Sequence, residues 1–230
     1  MWQYSVPFTY EQKIMNKDIE NFEDHIKFLK KNGYVLLNSI ITETKINKFR
    51  DIFFNLFNAY SGFNLESDFD SPEFVEKIKE FRINDSRKLH GLFRTIKFTS
   101  AFTDLFNEKK LSLLASQMID SNTSSLIISE HQFRIDEPHD ELYTLDWHQD
   151  SPYYEQDDEG LNSIVINICV QQNTRDMGVP ELVRKSHKRG RLPLGTIQRF
   201  GSEVEQLRVE SKFLKKEDMV IVEPNIGDVV

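Results

Sequence analysis

The apolar residues of this 230-residue chain change their spacing near Ser125, and that change limits the folds open to it. Before Ser125 apolar side chains recur every three or four residues, as on the buried face of a helix. From Ser125 to about Asp136 apolar and polar residues alternate, which is the period of a half-buried strand. We therefore predict an α+β protein with a helical part over about residues 1–120 and a β-rich part over about 121–230.

Caps and apolar spacing predict five helices in the first part. The most regular follows Thr42, where Ile46, Phe49, Phe53, Leu56 or Phe57, and Tyr60 share one face. The others are predicted from Asp18 to about Leu29 with a stop at Asn32-Gly33, from Pro72 to about Arg82, from about Ser100 to Asn107, and from Lys110 to Ile119. A short strand is predicted from Tyr34 to Leu37.

Short strand candidates, separated by Gly, Pro, Asn and Asp, fill the second part. They lie at 125–136, 143–150, 163–171, 181–184, 218–222 and from 228 onwards. Many short strands after leading helices favour a jelly roll or sandwich with helices on its outside, and such an interior can hold one small ligand.

The composition of the chain limits the classes of partner that it can bind. The net charge is −8, and the only basic cluster is 184–189, so the chain lacks the basic stripe that a nucleic acid or an anionic membrane would attract. The single cysteine, Cys169, cannot form an internal disulfide. No stretch reaches the roughly 20 apolar residues of a membrane helix, and the first residues show no secretory signal. We expect a cytoplasmic protein with a small-molecule substrate and no nucleic-acid or membrane partner.

The motif Trp147-His148-Gln149-Asp150 carries the clearest chemical signal. In an extended segment His148 and Asp150 present an imidazole and a carboxylate from one face, which are two of the three ligands of the facial triad in non-heme Fe(II) oxygenases. A third ligand must come from elsewhere. By residue type alone, a hydrogen-bonded structural His–Asp pair remains the other interpretation.

Two further residues share a face of the strand predicted at 125–136. These are Gln132 and Arg134, and an Arg fork suits a carboxylate because it donates two parallel hydrogen bonds. The alternative is that Arg134 pairs with Asp136 or Asp140 at the sheet edge. His131 falls on the opposite face and is expected to pack in the core.

Several further blocks follow one another along the chain. They are His131-Gln132-Phe133-Arg134-Ile135, Trp147-His148-Gln149-Asp150, Asn162 to Ile168, Gly178 to Glu181 with Ser186-His187-Lys188 and Gly190, and Pro224 with Gly227-Asp228-Val229-Val230. Together these blocks resemble the phytanoyl-CoA dioxygenase family of Fe(II)- and 2-oxoglutarate-dependent oxygenases. Two differences affect a pocket wall and a turn: Asn167 stands where many relatives have Trp, and Arg184-Lys185 replaces Pro-Gly.

The resemblance implies one domain over 1–230 with a double-stranded β-helix core of the jelly-roll, cupin-like type and flanking N-terminal helices. It implies Fe(II) bound by His148 and Asp150, with 2-oxoglutarate and O2 as co-substrates and release of succinate and CO2 as a small molecule is hydroxylated. Gln132 and Arg134 would bind the co-substrate, and the substrate pocket would include Trp147, Tyr153 and Asn167.

The family pattern puts the third ligand, a His, after Val230, together with the Ser and Arg that hold the far carboxylate of 2-oxoglutarate. The core is therefore expected to lack its last strands within these 230 residues. Two alternatives remain open. One is a noncatalytic β-helix protein that binds a ligand and has lost the triad. The other is a cupin-like metalloenzyme with His187 as third ligand, although His187 coincides with a Ser-His-Lys turn that the family carries besides its distal His.

Overall fold

The computed structural model describes residues 23–126, 128, 130–135, 145–150, 163–174, 178–198 and 205–230. Within these residues the protein has five α-helices and four short β-strands, which confirms the predicted α+β class. The strands form two separate antiparallel pairs, so the β-helix arrangement stays a prediction. The helices are α1 Glu23–Asn32, α2 Glu43–Ser61, α3 Pro72–Ile96, α4 Ser100–Phe106 and α5 Lys109–Met118, and the strands are β1 Glu181–Val183, β2 Leu194–Gln198, β3 Glu205–Val209 and β4 Met219–Ile221.

The helices α2, α4 and α5 lie where caps and spacing predict them. The α1 helix ends at Asn32, and its predicted start at Asp18 lies outside the described residues. The predicted end of α3 near Arg82 was wrong, because the helix continues beyond a kink at Asp85 (φ −154°, ψ 68°). The Asp85 carboxylate accepts the Lys88 N–H at 3.0 Å, as an N-cap does, and so begins a second helical segment.

Phenylalanines of α2 form the centre of the core. Phe49, Phe53, Phe54 and Phe57 are at most 1% exposed and pack mainly against α3 and α4. Phe133 joins them from the second part of the chain, with ring centroids 5.3 Å from Phe49 and 5.2 Å from Phe53. Because burying one such ring contributes on the order of 2 kcal/mol, Phe133 fixes its segment firmly on the helices.

The segment around Phe133 alternates as predicted, although its described residues form no strand. His131, Phe133 and Ile135 are half-buried, whereas Gln132 and Arg134 are exposed. The His131 ring lies 5.6 Å from each of the Phe102 and Phe106 rings, in agreement with the expectation of a packed histidine. The two polar side chains therefore point away from the helical core.

Val229 lies at the centre of a three-segment backbone ladder. It pairs antiparallel with both Leu37 and Ile168, so the strands predicted at 34–37, at 163–171 and from 228 meet here. Gly227 (φ +82°) precedes it, and a Cβ there would lie 2.5 Å from the Ile41 carbonyl oxygen, so only glycine fits. The ladder joins the helical part of the chain to its β-rich part.

Asp228 supports this ladder from inside, at 1% exposure. Its carboxylate accepts the backbone N–H of Ser39 at 2.7 Å and that of Asn225 at 2.9 Å. A buried carboxylate needs such donors, because burial without them is unfavourable by several kcal/mol. Asp228 thus holds two turns together from residues far apart in sequence.

The strands of one pair were predicted from the sequence, and those of the other pair were not. The strands β1 and β4, predicted at 181–184 and 218–222, pair with each other, Glu181 opposite Ile221. The hairpin of β2 and β3, with Leu194 opposite Val209, was not predicted. At the other predicted strand, 143–150, the described residues 145–150 form none. None of the helices in the described part of the chain combines the length and apolar character that crossing a membrane requires.

Candidate metal centre

The β2–β3 pair holds the His-x-Asp motif at the end where Leu194 lies opposite Val209. On one side the Val209 N–H donates to the Trp147 carbonyl oxygen at 2.6 Å. On the other, the Leu192 N–H donates to Gln149 Oε1 at 2.8 Å, and Gln149 Nε2 donates to the Gly190 carbonyl oxygen at 3.0 Å. The motif is therefore fixed through both its backbone and the side chain between the two candidate ligands.

The side chains of His148 and Asp150 meet. Nε2 of His148 lies 3.1 Å from Oδ1 of Asp150, and Nδ1 of His148 lies 2.6 Å from the Asp146 carbonyl oxygen. A carbonyl oxygen only accepts, so Nδ1 must carry the proton there. Nε2 then turns a lone pair toward an anionic oxygen unless a cation lies between them. The contact thus requires either a proton between the two atoms or a metal ion.

Electrostatics at the pair favour that proton in the metal-free protein. The hydrogen bond that the protonated ring donates to Asp150 raises the pKa of His148 above its ordinary value. Partial burial opposes this shift, and the Asp146 carbonyl bond and the charge of Asp150 add to it. The charge of Arg134 lowers the same pKa, so Arg134 lies close enough to act on the pair. A metal ion binding to Nε2 would replace a proton held between the two side chains.

The donor pair fits an octahedral divalent metal such as Fe(II). Two ligands at right angles, each about 2.1 Å from a metal, lie about 3.0 Å apart, close to the separation of Nε2 and Oδ1. An imidazole with a fixed tautomer and a carboxylate are also the ligand types of a non-heme iron site. In the part of the chain that the structure describes, no group of three His, Cys, Asp or Glu side chains is placed to hold a metal, and the pair by itself offers two donor groups.

The other predicted site residues are only partly assembled here. Arg134 acts electrostatically on His148, whereas the exposed amide of Gln132 donates to Glu130 Oε1 at 2.9 Å. Trp147 is half-buried beside the ligands. The side chain of Asn167 is exposed, and its backbone pairs with Val230. Tyr153, and the carboxylates Asp136 and Asp140 weighed as partners of Arg134, lie outside the described residues.

His187 is placed at the C-terminus of α1. Its Nε2 lies 3.1 Å from the Lys30 carbonyl oxygen, and its ring packs so closely on Gly33 that a side chain there would overlap it. The Lys185 N–H donates to the Asn32 carbonyl oxygen at 2.7 Å, so the turn satisfies two carbonyls at the end of the helix. In this structure the His187 imidazole contacts the C-terminus of α1 and does not form a group with His148 and Asp150.

The contacts of Gln149 were not predicted from the sequence, in which it only separates the two candidate ligands. Its partners lie 41 and 43 residues further along the chain, and no local pattern connects them. The available signal was weak: Leu207 and Val209 alternate with Gln206 and Arg208, which would have indicated a strand close to the loop that Gln149 contacts.

The chain was compared with known protein families, curated proteins and solved structures. A family model described as phytanoyl-CoA dioxygenase (PhyH) matches residues 29–230. No curated protein and no solved structure matches the chain. The matched region includes α2 to α5, the His-x-Asp motif and the β2–β3 hairpin.

Proposed function

The chain belongs to the phytanoyl-CoA dioxygenase family, and from this we propose that it is an Fe(II)- and 2-oxoglutarate-dependent dioxygenase that hydroxylates a small molecule. The observation that carries the proposal is the 3.1 Å contact of His148 Nε2 with Asp150 Oδ1, which calls for a cation and has the spacing of neighbouring metal ligands. We further propose a single domain over 1–230 with a double-stranded β-helix core.

In this proposal His148 and Asp150 hold Fe(II) through Nε2 and a carboxylate oxygen. The third ligand is the His that the family pattern puts after Val230. Bound iron, with 2-oxoglutarate and O2, supplies the oxidising chemistry in which succinate and CO2 are released and a substrate carbon gains a hydroxyl group. The protein's contribution is to orient the ligands and exclude water from the reacting atoms.

The surrounding residues have separate tasks. The Asp146 carbonyl fixes the His148 tautomer and leaves Nε2 for the metal, as a partner behind a metal-binding histidine does. Arg134, whose charge acts on His148, attracts a carboxylate of 2-oxoglutarate. Gln132 lies on the same face and assists by hydrogen bonding once it leaves Glu130. Trp147, Tyr153 and Asn167 line the substrate side.

The test is metal binding and 2-oxoglutarate turnover by the full-length protein. The variants His148→Ala and Asp150→Ala should each lose Fe(II)-dependent formation of succinate and bind metal at least tenfold more weakly. Matched controls are His90→Ala and Asp51→Ala, because both residues are exposed on helices outside the site. Turnover that survives in either ligand variant while both controls behave as wild type would refute the assignment.

The second candidate is a ligand-binding protein of the same fold without catalysis. It is favoured by the fact that a proton on His148 satisfies the contact with Asp150 as well as a metal does. It predicts that the wild-type protein binds no Fe(II). It also predicts that Asp150→Asn lowers the free energy of unfolding and that no metal-dependent activity is affected.

A further inference from the structure

The side chain of Gln149 points away from the two proposed ligands that flank it. His148 and Asp150 contact each other, whereas the Gln149 amide reaches Gly190 and Leu192. The described residues of the motif form no strand, so this arrangement is shown by the contacts of each side chain and not by strand alternation. One short motif therefore presents metal ligands on one side and a hydrogen-bonding amide on the other.

Gln149 uses both ends of its amide. It donates to the Gly190 carbonyl oxygen at 3.0 Å and accepts the Leu192 N–H at 2.8 Å. A primary amide has the donor and acceptor of a peptide unit, so Gln149 replaces one peptide of a neighbouring strand. The two bonds fix the backbone on both sides of Arg191.

The loop that Gln149 holds has an unusual backbone conformation, and its residues line one side of a cleft. Gly190 has φ 66° and ψ −160°, a conformation essentially restricted to glycine. The residues that follow it line a shallow cleft that is mostly open to solvent and lead into β2, and they are Arg191, Leu192, Pro193 and Leu194. Gln149 thus connects the ligand pair directly to a cleft wall.

We propose that Gln149 is a positioning residue, which fixes the ligand pair of His148 and Asp150 against the cleft loop 190–194. The inference rests on the proposed function, because it assigns Gln149 a role in that metal site. The backbone bond between Val209 and Trp147 holds the motif on one side only. Without the Gln149 amide the ligands can shift relative to the cleft, and metal affinity should fall because it depends on how the ligands are oriented.

The experiment compares wild-type protein with Gln149→Met, which keeps the side-chain length and removes both hydrogen bonds. The matched control is Gln117→Met, because Gln117 is exposed on α5. Three quantities are measured: amide hydrogen exchange of residues 190–194, Co(II) affinity with its visible absorption spectrum, and the thermal midpoint. Co(II) alone serves as the metal probe.

In Gln149→Met we expect faster exchange at 190–194, at least tenfold weaker Co(II) binding and an altered Co(II) spectrum. The control should match wild type in all three. Gly190→Ala provides a second variant, because nothing lies near the added Cβ and only the glycine-restricted backbone is disturbed. It should shift the Co(II) spectrum in the same way while Gln149 stays intact.

Three results would overturn the inference. Unchanged exchange in Gln149→Met would show that the amide does not hold the loop. Faster exchange with wild-type Co(II) affinity and spectrum would show that the loop does not position the ligands. If wild type binds no Co(II) at all, the proposed function fails and this role with it, and the exchange data still report the hydrogen bonds separately.

Discussion

The imidazole of His187 lies against Gly33, and the two residues close the C-terminus of α1 together. A methyl group on Gly33 would overlap the ring, while Nε2 of His187 contacts the Lys30 carbonyl oxygen at 3.1 Å. Gly33 has φ +88°, the left-handed conformation that ends many helices. A histidine that sequence pattern allows as a metal ligand is thus engaged in ending a helix.

Replacing Gly33 by Ala should destabilise the protein more than replacing Gly62 does. Both glycines have left-handed φ, at +88° and +81°, so substitution of either by Ala destabilises the folded state by about 1 kcal/mol or more. Only Gly33→Ala also meets His187, since nothing lies within 4 Å of a Cβ on Gly62. We expect an additional loss of about 1–3 kcal/mol in the free energy of unfolding, measured by urea denaturation.

The double variant Gly33→Ala, His187→Ala should recover most of that additional loss, since the overlap is removed. His187→Ala alone should leave metal affinity unchanged. Equal losses for Gly33→Ala and Gly62→Ala would contradict the contact, and a large fall in metal affinity in His187→Ala would favour the alternative in which His187 is a ligand.

Asp228→Asn should lower the free energy of unfolding by about 2 kcal/mol. The buried carboxylate accepts backbone N–H groups of Ser39 and Asn225, and an amide would turn its NH2 toward one of these donors. Asp51→Asn on the exposed face of α2 is the matched control and should have no measurable effect. Thermal or urea unfolding measures both, and an equal stability of the two variants would count against this role of Asp228.

The stability of the metal-free protein should depend on the ionisation of His148. Because Asp150 raises the pKa of His148 in the folded state, the protonated ring stabilises folding below the unfolded pKa of about 6.5, and this contribution is lost as pH rises through the higher folded pKa. Metal binding must displace the proton, so metal affinity should increase with pH over the same range. NMR titration measures the pKa directly, and Asp150→Asn should lower it.

Cys169 should be unreactive in the folded protein. Burial, with the charge of Asp228 added, raises the pKa of its thiol to about 12, although a hydrogen bond with Asn173 opposes the shift. Almost no thiolate exists at neutral pH, so a disulfide reagent should label Cys169 only as the protein unfolds. Ser163→Cys, at an exposed position on the same segment, provides the reactive control. Fast labelling of Cys169 in native protein would contradict its burial.

The parts of the fold that were predicted from sequence depend on local spacing. The α2 helix follows from apolar residues at three- and four-residue intervals. The strand predicted at 143–150 is not formed by residues 145–150, although His148 and Asp150 do contact each other. Asp85 misled the prediction, because a polar residue that ends one helical segment also caps the next. The β2–β3 hairpin and the Gln149 contacts were missed. The weak alternation at 206–209 indicates a strand but not its partner, and no local pattern connects Gln149 with Gly190 or Leu192.

The ladder at Val229 has a consequence for the order in which the protein is assembled during translation. Leu37 exchanges both backbone hydrogen bonds with Val229, and a growing chain cannot form that pair until 192 further residues have been added. The helices from α2 to α5 can pack on their phenylalanines long before then. The nascent protein can therefore acquire its helical core early, whereas this core joins the β-rich part only after Val229 has been synthesised, and pairing over such a sequence distance is slow.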